Sequence, residues 1–182
     1  MLEIKRPLTE LDKMVLEFAK CIEVFRYVIV SGYVAILFGR PRTTDDVDVI
    51  VGERDAAKVY ERCRQCGYEL LTSSEALREE YATASVRFYK PPNLLPTFEV
   101  KPPRTPPQIY ALENRVPVKL GGGIIYISPI ELQIAYKLKL GSDKDVEDAH
   151  FLYNALKDFI NKEELETWLR RFGVSMRSGG VT

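Results

Sequence analysis

What this chain of 182 residues has little of narrows its chemistry first. It carries a single histidine, so any Ser-His-Asp or Cys-His nucleophile system has to use His150. That residue falls near the inward stripe of a helical pattern with Val146, Ala149 and Tyr153, and reads as a packed or half-exposed core side chain. Three cysteines, with His150, barely supply the four ligands of a zinc site. Cys63 and Cys66 match Cys-x-x-Cys, but they close a helical pattern just before Gly67, whereas a reactive thiolate gains from a helix N-terminus. They read as structural cysteines, with a stabilising disulfide left open.

An excess of either charge is missing as well. Lys plus Arg number 26 and Asp plus Glu 26, so no global field draws the chain onto nucleic acid or anionic membrane. A polynucleotide would need a local patch, and the scattered basic and aromatic residues give no support for a base-stacking platform while leaving one open. No apolar run approaches the roughly 18 residues of a membrane span. Met1-Leu2-Glu3-Ile4-Lys5-Arg6 has no signal-peptide apolar region, so a cytoplasmic protein without a membrane partner is expected. No Gly-Lys-Ser/Thr follows Gly121-Gly122-Gly123, which excludes a P-loop there and leaves a hairpin turn.

What is present reads as α/β. Thr9 and Asp12 open a helix whose apolar face is Leu11, Val15, Phe18 and Ile22. Residues 27–30 form a nearly all-apolar strand, 32–38 a short helix, and Ala56, Val59 and Cys63 one face of a helix stopped at Gly67. Strands are expected near 68–71, 85–89 and 97–101, and a short helix over 74–81. Pro91, Pro92 and Pro96 force an irregular connection, and Pro102 to Pro107 reads as a surface crossing. After a hairpin at 116–127 the chain turns helical. Ser128-Pro129-Ile130-Glu131 reads as N-cap, N1 and N3, and boxes follow at Ser142/Asp145 and Asn161/Glu164. A mixed sheet of about five or six strands with flanking helices is expected, in one compact domain over 1–182. Its core spans about 1–127, a helical C-terminal segment about 128–174, and a frayed tail 175–182.

The densest chemistry lies at Asp46-Val47-Asp48-Val49-Ile50-Val51. On a strand, residues i and i+2 share a face, so Asp46 and Asp48 project together, opposite Val47, Val49 and Val51. Two adjacent carboxylates repel unless a cation sits between them, and Mg2+ suits oxygen ligands of this kind.

With Ser31-Gly32, Gly39, Arg42 and Thr44 ahead of Asp46 and Asp48, the segment resembles the nucleotidyltransferase superfamily, whose core is DNA polymerase β-like. It looks most like the small prokaryotic branch of abortive-infection type toxins and antibiotic nucleotidyltransferases. Ile130 to Lys139, and Lys144-Asp145-Val146-Glu147-Asp148, resemble a later block of that branch, in which an inward lysine is followed by Lys-Asp-x-x-Asp. One departure is Ser31 in place of the first glycine of the pair.

The resemblance implies transfer of a nucleoside monophosphate from an NTP, with release of pyrophosphate. It implies Asp46, Asp48 and Glu99 as catalytic and metal-binding carboxylates for Mg2+ (or Mn2+). Ser31, Gly32, Arg42, Thr44 and Lys137 would contact the nucleotide. Glu99 otherwise reads as a strand residue exposed to solvent or paired with Lys101, and Arg40 or Arg42 as a partner of Asp45. Lys144, Asp145 and Asp148 read as helix caps and braces. The acceptor can be RNA, a protein or a small molecule. Two rivals stay open: a degenerate nucleotide- or RNA-binding module or toxin–antitoxin partner, and a metal-dependent nuclease.

Overall fold

The computed structural model describes residues 1–176, so the tail expected over 175–182 lies, from residue 177 on, outside the described residues. Among the described residues, eight strands form one mixed sheet. They are β1 (Leu2–Ile4), β2 (Tyr27–Val30), β3 (Asp46–Val51), β4 (Glu69–Leu70), β5 (Val86–Lys90), β6 (Asn93–Lys101), β7 (Val116–Leu120) and β8 (Gly123–Ile127). Their order across the sheet is β1-β7-β8-β2-β3-β6-β5-β4. The helices are α1 (Glu10–Ile22), α2 (Gly32–Leu37), α3 (Ala56–Gln65), α4 (Leu77–Thr83), α5 (Pro106–Glu113), α6 (Ile130–Leu140), α7 (Asp143–Leu156) and α8 (Lys162–Phe172). The sheet is larger than the expected five or six strands. The addition with no sequence signal is β1, three residues aligned parallel to β7.

The chain places β3 at the centre. It runs antiparallel to β2, with Val30 opposite Asp48, and parallel to β6, with Asp48 beside Glu99 and Asp46 beside Thr97. Alternation then sorts the two faces. Val47, Val49, Val51, Phe98 and Val100 turn to the face under α1, where Phe18 stacks on Phe98 with ring centroids 4.0 Å apart. Asp46, Asp48 and Glu99 turn to the other face, towards α5 and α6.

Local signals held where they were chemical. Thr9 and Asp12 form a reciprocal capping box, and Gly67 and Gly173 take positive φ just past α3 and α8. Asp12 is buried and accepts from Arg6, from the Thr9 backbone and hydroxyl, and from the Tyr33 hydroxyl. Burial pushes its carboxyl up, and those hydrogen bonds outweigh it and hold it below the ordinary range.

Three local expectations are corrected. The run after Pro102 is not only a crossing, because Thr105 and Gln108 box the start of α5 with prolines in its first turn. The stretch expected to be irregular around Pro96 belongs to β6, which pairs from Asn93. The N-cap of α6 is Pro129 and Ser128 makes no cap, its hydroxyl donating to the Pro129 carbonyl at 3.3 Å. Glu131 instead accepts from the Asn161 backbone N–H at 2.7 Å, tying α6 to the start of α8.

The cysteines resolve differently from the Cys-x-x-Cys spacing. Cys21 of α1 and Cys66 at the end of α3 are joined in a disulfide, and Cys63 stays a buried free thiol. Among the described residues no helix is long and apolar enough to cross a membrane.

Candidate functional site

Ser31 ends β2 and opens α2 with φ 66° and ψ −135°, a backbone region that side chains rarely enter. It is the one non-glycine residue with positive φ among the described residues. Its hydroxyl lies beside Asp48 and favours that carboxylate's ionised form, while its carbonyl accepts from Gln133 Nε2 of α6 at 2.8 Å. Gly32 leaves room for Arg42: a Cβ there would lie 2.2 Å from Arg42 Nη2, so a larger residue would push that guanidinium away. The Arg42 guanidinium therefore lies on the backbone at the turn. Thr44 steers the chain into β3, its hydroxyl donating to the Asp46 carbonyl at 2.9 Å.

Asp46, Asp48 and Glu99 stand on one face, as the alternation predicts. Burial is the main cause that pushes the Asp48 carboxyl above the ordinary range. Lys101, whose Nζ is 3.8 Å away, opposes this, Glu99 and Asp46 add to it, and the Ser31 hydrogen bond opposes it again. Glu99 is not paired with Lys101. Its Oε1 accepts from Arg87 Nε at 2.6 Å and its Oε2 from the Ser85 hydroxyl at 3.3 Å. Among the described residues no group of three or more carboxylate, imidazole or thiolate side chains is arranged closely enough to hold a metal ion.

The cations form a second cluster. Asp148 of α7, fully buried, faces Arg40 Nε at 2.5 Å, Lys137 Nζ at 2.8 Å and Arg42 Nη2 at 3.2 Å. Lys137, with 1% of its side chain exposed, also reaches Asp145 at 2.9 Å, and Arg40 pairs with Glu147 at the surface. Neither arginine pairs with Asp45. Both Asp148 oxygens and the Nε atoms of Arg40 and Arg42 make no aligned hydrogen bond, so charge more than directed bonding holds this cluster. Ser142 caps α7 through the Asp145 N–H, and the Asp145 carboxylate accepts from the Ser142 hydroxyl and braces Lys137; burial raises its carboxyl, and the Ser142 and Lys137 contacts outweigh that and lower it.

A cleft of about 250 Å³ opens between the β3–β6 face and α5–α6. Ser31, Asp48, Lys101, Gln133, Tyr136 and Lys137 line it. A larger groove of about 970 Å³ lies between α1 and the β7–β8 hairpin, but it touches none of the β3 and β6 carboxylates. Chemistry favours the smaller one, where convergent polar groups meet apolar walls.

The structure thus brings Ser31, Gly32, Arg42 and Thr44 to the turn, Asp46, Asp48 and Glu99 to the adjoining strand face, and Lys137 to the same cleft. Sequence reasoning missed three partners: Arg87 on Glu99, Lys101 on Asp48, and Asp148 as the counter-ion of three cations. Arg87 had a usable signal, since an antiparallel pairing of 85–89 with 97–101 can set it opposite Glu99.

No family model matches the chain, and no curated protein matches it. Solved structures with a similar fold include two nucleotidyltransferase-type proteins. One is an antigenic nucleotidyltransferase-like protein from Paracoccidioides brasiliensis, 19% identical, with a TM-score of 0.58 over 91% of this chain and 89% of that one. The other is the antibiotic-resistance factor ANT(2'')-Ia, 11% identical, with a TM-score of 0.56 over 88% of this chain and 90% of that one. At these identities the likeness is one of fold: the chain has the mixed α/β fold of nucleotidyltransferases.

Proposed function

We propose, taking that nucleotidyltransferase fold as the premise, that this chain transfers a nucleoside monophosphate from an NTP to an acceptor and releases pyrophosphate. The observation that carries the reading is the pair Asp46 and Asp48 on one strand face, with Asp48 and Ser31 lining the cleft. The donor set fits a divalent cation: both are hard oxygen ligands, and burial with neighbouring carboxylates already disfavours the ionised Asp48. Asp46 and Asp48 would hold Mg2+ or Mn2+, which when bound supplies charge neutralisation at the triphosphate.

The chain's own residues do the positioning. Arg42 has its guanidinium against the turn and is the most loosely held of the three cations on Asp148, so it is the group free to turn to a phosphate. Lys137 reaches the cleft from α6 with its ammonium fixed by Asp145 and Asp148. Its charge acts from a set place and needs no reorganisation on binding. Gln133 locks the Ser31 carbonyl and Thr44 the start of β3, which keeps the turn and the acids in one geometry.

Isothermal titration of ATP, CTP, GTP and UTP with Mg2+ or Mn2+ tests the reading. Metal-dependent binding by the wild type, lost in Asp46→Asn/Asp48→Asn, is expected. Failure of all four to bind the folded wild type at millimolar concentration would sink the donor site. A second reading, binding without transfer, is favoured by one observation: Arg87 and Ser85 occupy both oxygens of Glu99. Tight nucleotide binding without pyrophosphate release, unchanged by Asp48→Asn, would establish it.

A further inference from the structure

We propose that the carboxylate face holds one divalent cation, at Asp46 and Asp48, and that Arg87 closes Glu99 to a second. This rests on the reading of Asp46 and Asp48 as the metal-binding pair. It differs from the expectation that the third carboxylate serves a second metal, and its ground is the set of contacts around Glu99.

Glu99 has no lone oxygen to offer. Arg87 Nε and Nη2 both stand 2.6 Å from Oε1, and the Ser85 hydroxyl donates to Oε2. Arg87 and Glu99 are directly opposite in the antiparallel β5–β6 pairing, so the contact is built into the register and does not depend on a chance rotamer. The Glu99 side chain is only 14% exposed while that of Arg87 is 55% exposed. The arginine therefore comes from the solvent side and covers the carboxylate.

Arg87 on Glu99 and Lys101 on Asp48 already offset two of the three carboxylate charges. A pair of divalent ions would have to displace a guanidinium held by two short contacts, or bind beside it in mutual repulsion. Asp46 and Asp48 with substrate phosphates are a sufficient set for Mg2+, which is often held by one or two carboxylates. Arg87 then keeps a positive charge beside Glu99 where a second ion would otherwise supply it.

The test counts metal and does not need turnover. Mn2+ bound per chain is measured by equilibrium dialysis with a saturating mixture of the α,β-methylene analogues of ATP, CTP, GTP and UTP. The wild type is expected to bind one Mn2+, and Glu99→Gln still one. Arg87→Gln should bind two and Arg87→Gln/Glu99→Gln one again, because the second site exists only when Glu99 is uncovered. Two ions in the wild type with one in Glu99→Gln would overturn the proposal. So would a single ion in Arg87→Gln, shown to be folded by its circular dichroism. Mn2+ binding that ignores Asp46→Asn/Asp48→Asn, or none at all, would instead defeat the metal-binding pair itself.

Discussion

Asp48 sets stability against function at a single side chain. Burial raises its carboxyl above the ordinary range, so the native state binds a proton there more readily than the unfolded chain does. The ionised form therefore opposes folding at neutral pH, and that opposition fades as pH falls through the raised pKa towards the ordinary carboxylate range. Asp48→Asn removes the charge and keeps the shape. We expect this variant, free of metal, to melt above the wild type at pH 7, with the gap narrowing on acidification. Thermal unfolding followed by circular dichroism at several pH values checks it. A lower melting temperature for Asp48→Asn at pH 7 would mean that Lys101 outweighs the burial. The sequence made Asp46 and Asp48 legible because strand alternation is a local rule. It did not show that Glu99 would meet Arg87, since that contact depends on which strand lies next to β6. Nor did it show that Ser31 takes a positive φ with its hydroxyl beside Asp48.

At the scale of elements, the helix ends were readable and the cysteine pairing was not. Capping residues act within one turn, so Thr9/Asp12, Ser142/Asp145 and Asn161 announce their helices. The disulfide joins Cys21 to Cys66 across 45 residues, between α1 and the end of α3, which no local pattern brings together. It crosslinks α1 to the end of α3, and its loss should cost about 2–4 kcal/mol, mainly by freeing the unfolded chain. Reduction should lower the urea midpoint of the wild type and leave that of Cys21→Ser unchanged. Burial pushes the remaining Cys63 thiol up to about 12, so it should resist iodoacetamide in the native protein at pH 8 and react after denaturation. Mass spectrometry reads the adduct, and native labelling of Cys63 would contradict its burial. The helix α5 escaped notice because prolines suggested a break, although prolines also suit the first turn of a helix.

Across the whole molecule, Asp148 connects the helical third to the α/β core. From α7 it holds Lys137 of α6 and both arginines of the loop between α2 and β3. Asp148→Ala would remove the counter-ion the three cations share, leaving Lys137 with Asp145 and Arg40 with Glu147, and breaking such a cluster from one side costs about 3–5 kcal/mol. Urea unfolding should show a loss of that size, against about 0.5 kcal/mol or less for Ala at the exposed Lys144. A small loss for Asp148→Ala would mean that the loop finds other partners. Nucleotide affinity should fall with it, since Arg42 would lose its guide beside Gly32. By itself the sequence determined what lies within reach of a few residues: the α/β class, most helix starts, and the common face of Asp46 and Asp48. Through the resemblance it also pointed to the inward setting of Lys137. Only the tertiary structure decided the partners of those groups: Arg87 on Glu99, Lys101 beside Asp48, Asp148 among three cations, and Cys66 with Cys21. The physical reason is range. Periodicity and capping are set by neighbours along the chain, whereas counter-ions and crosslinks are set by neighbours in space, and strand order chooses those.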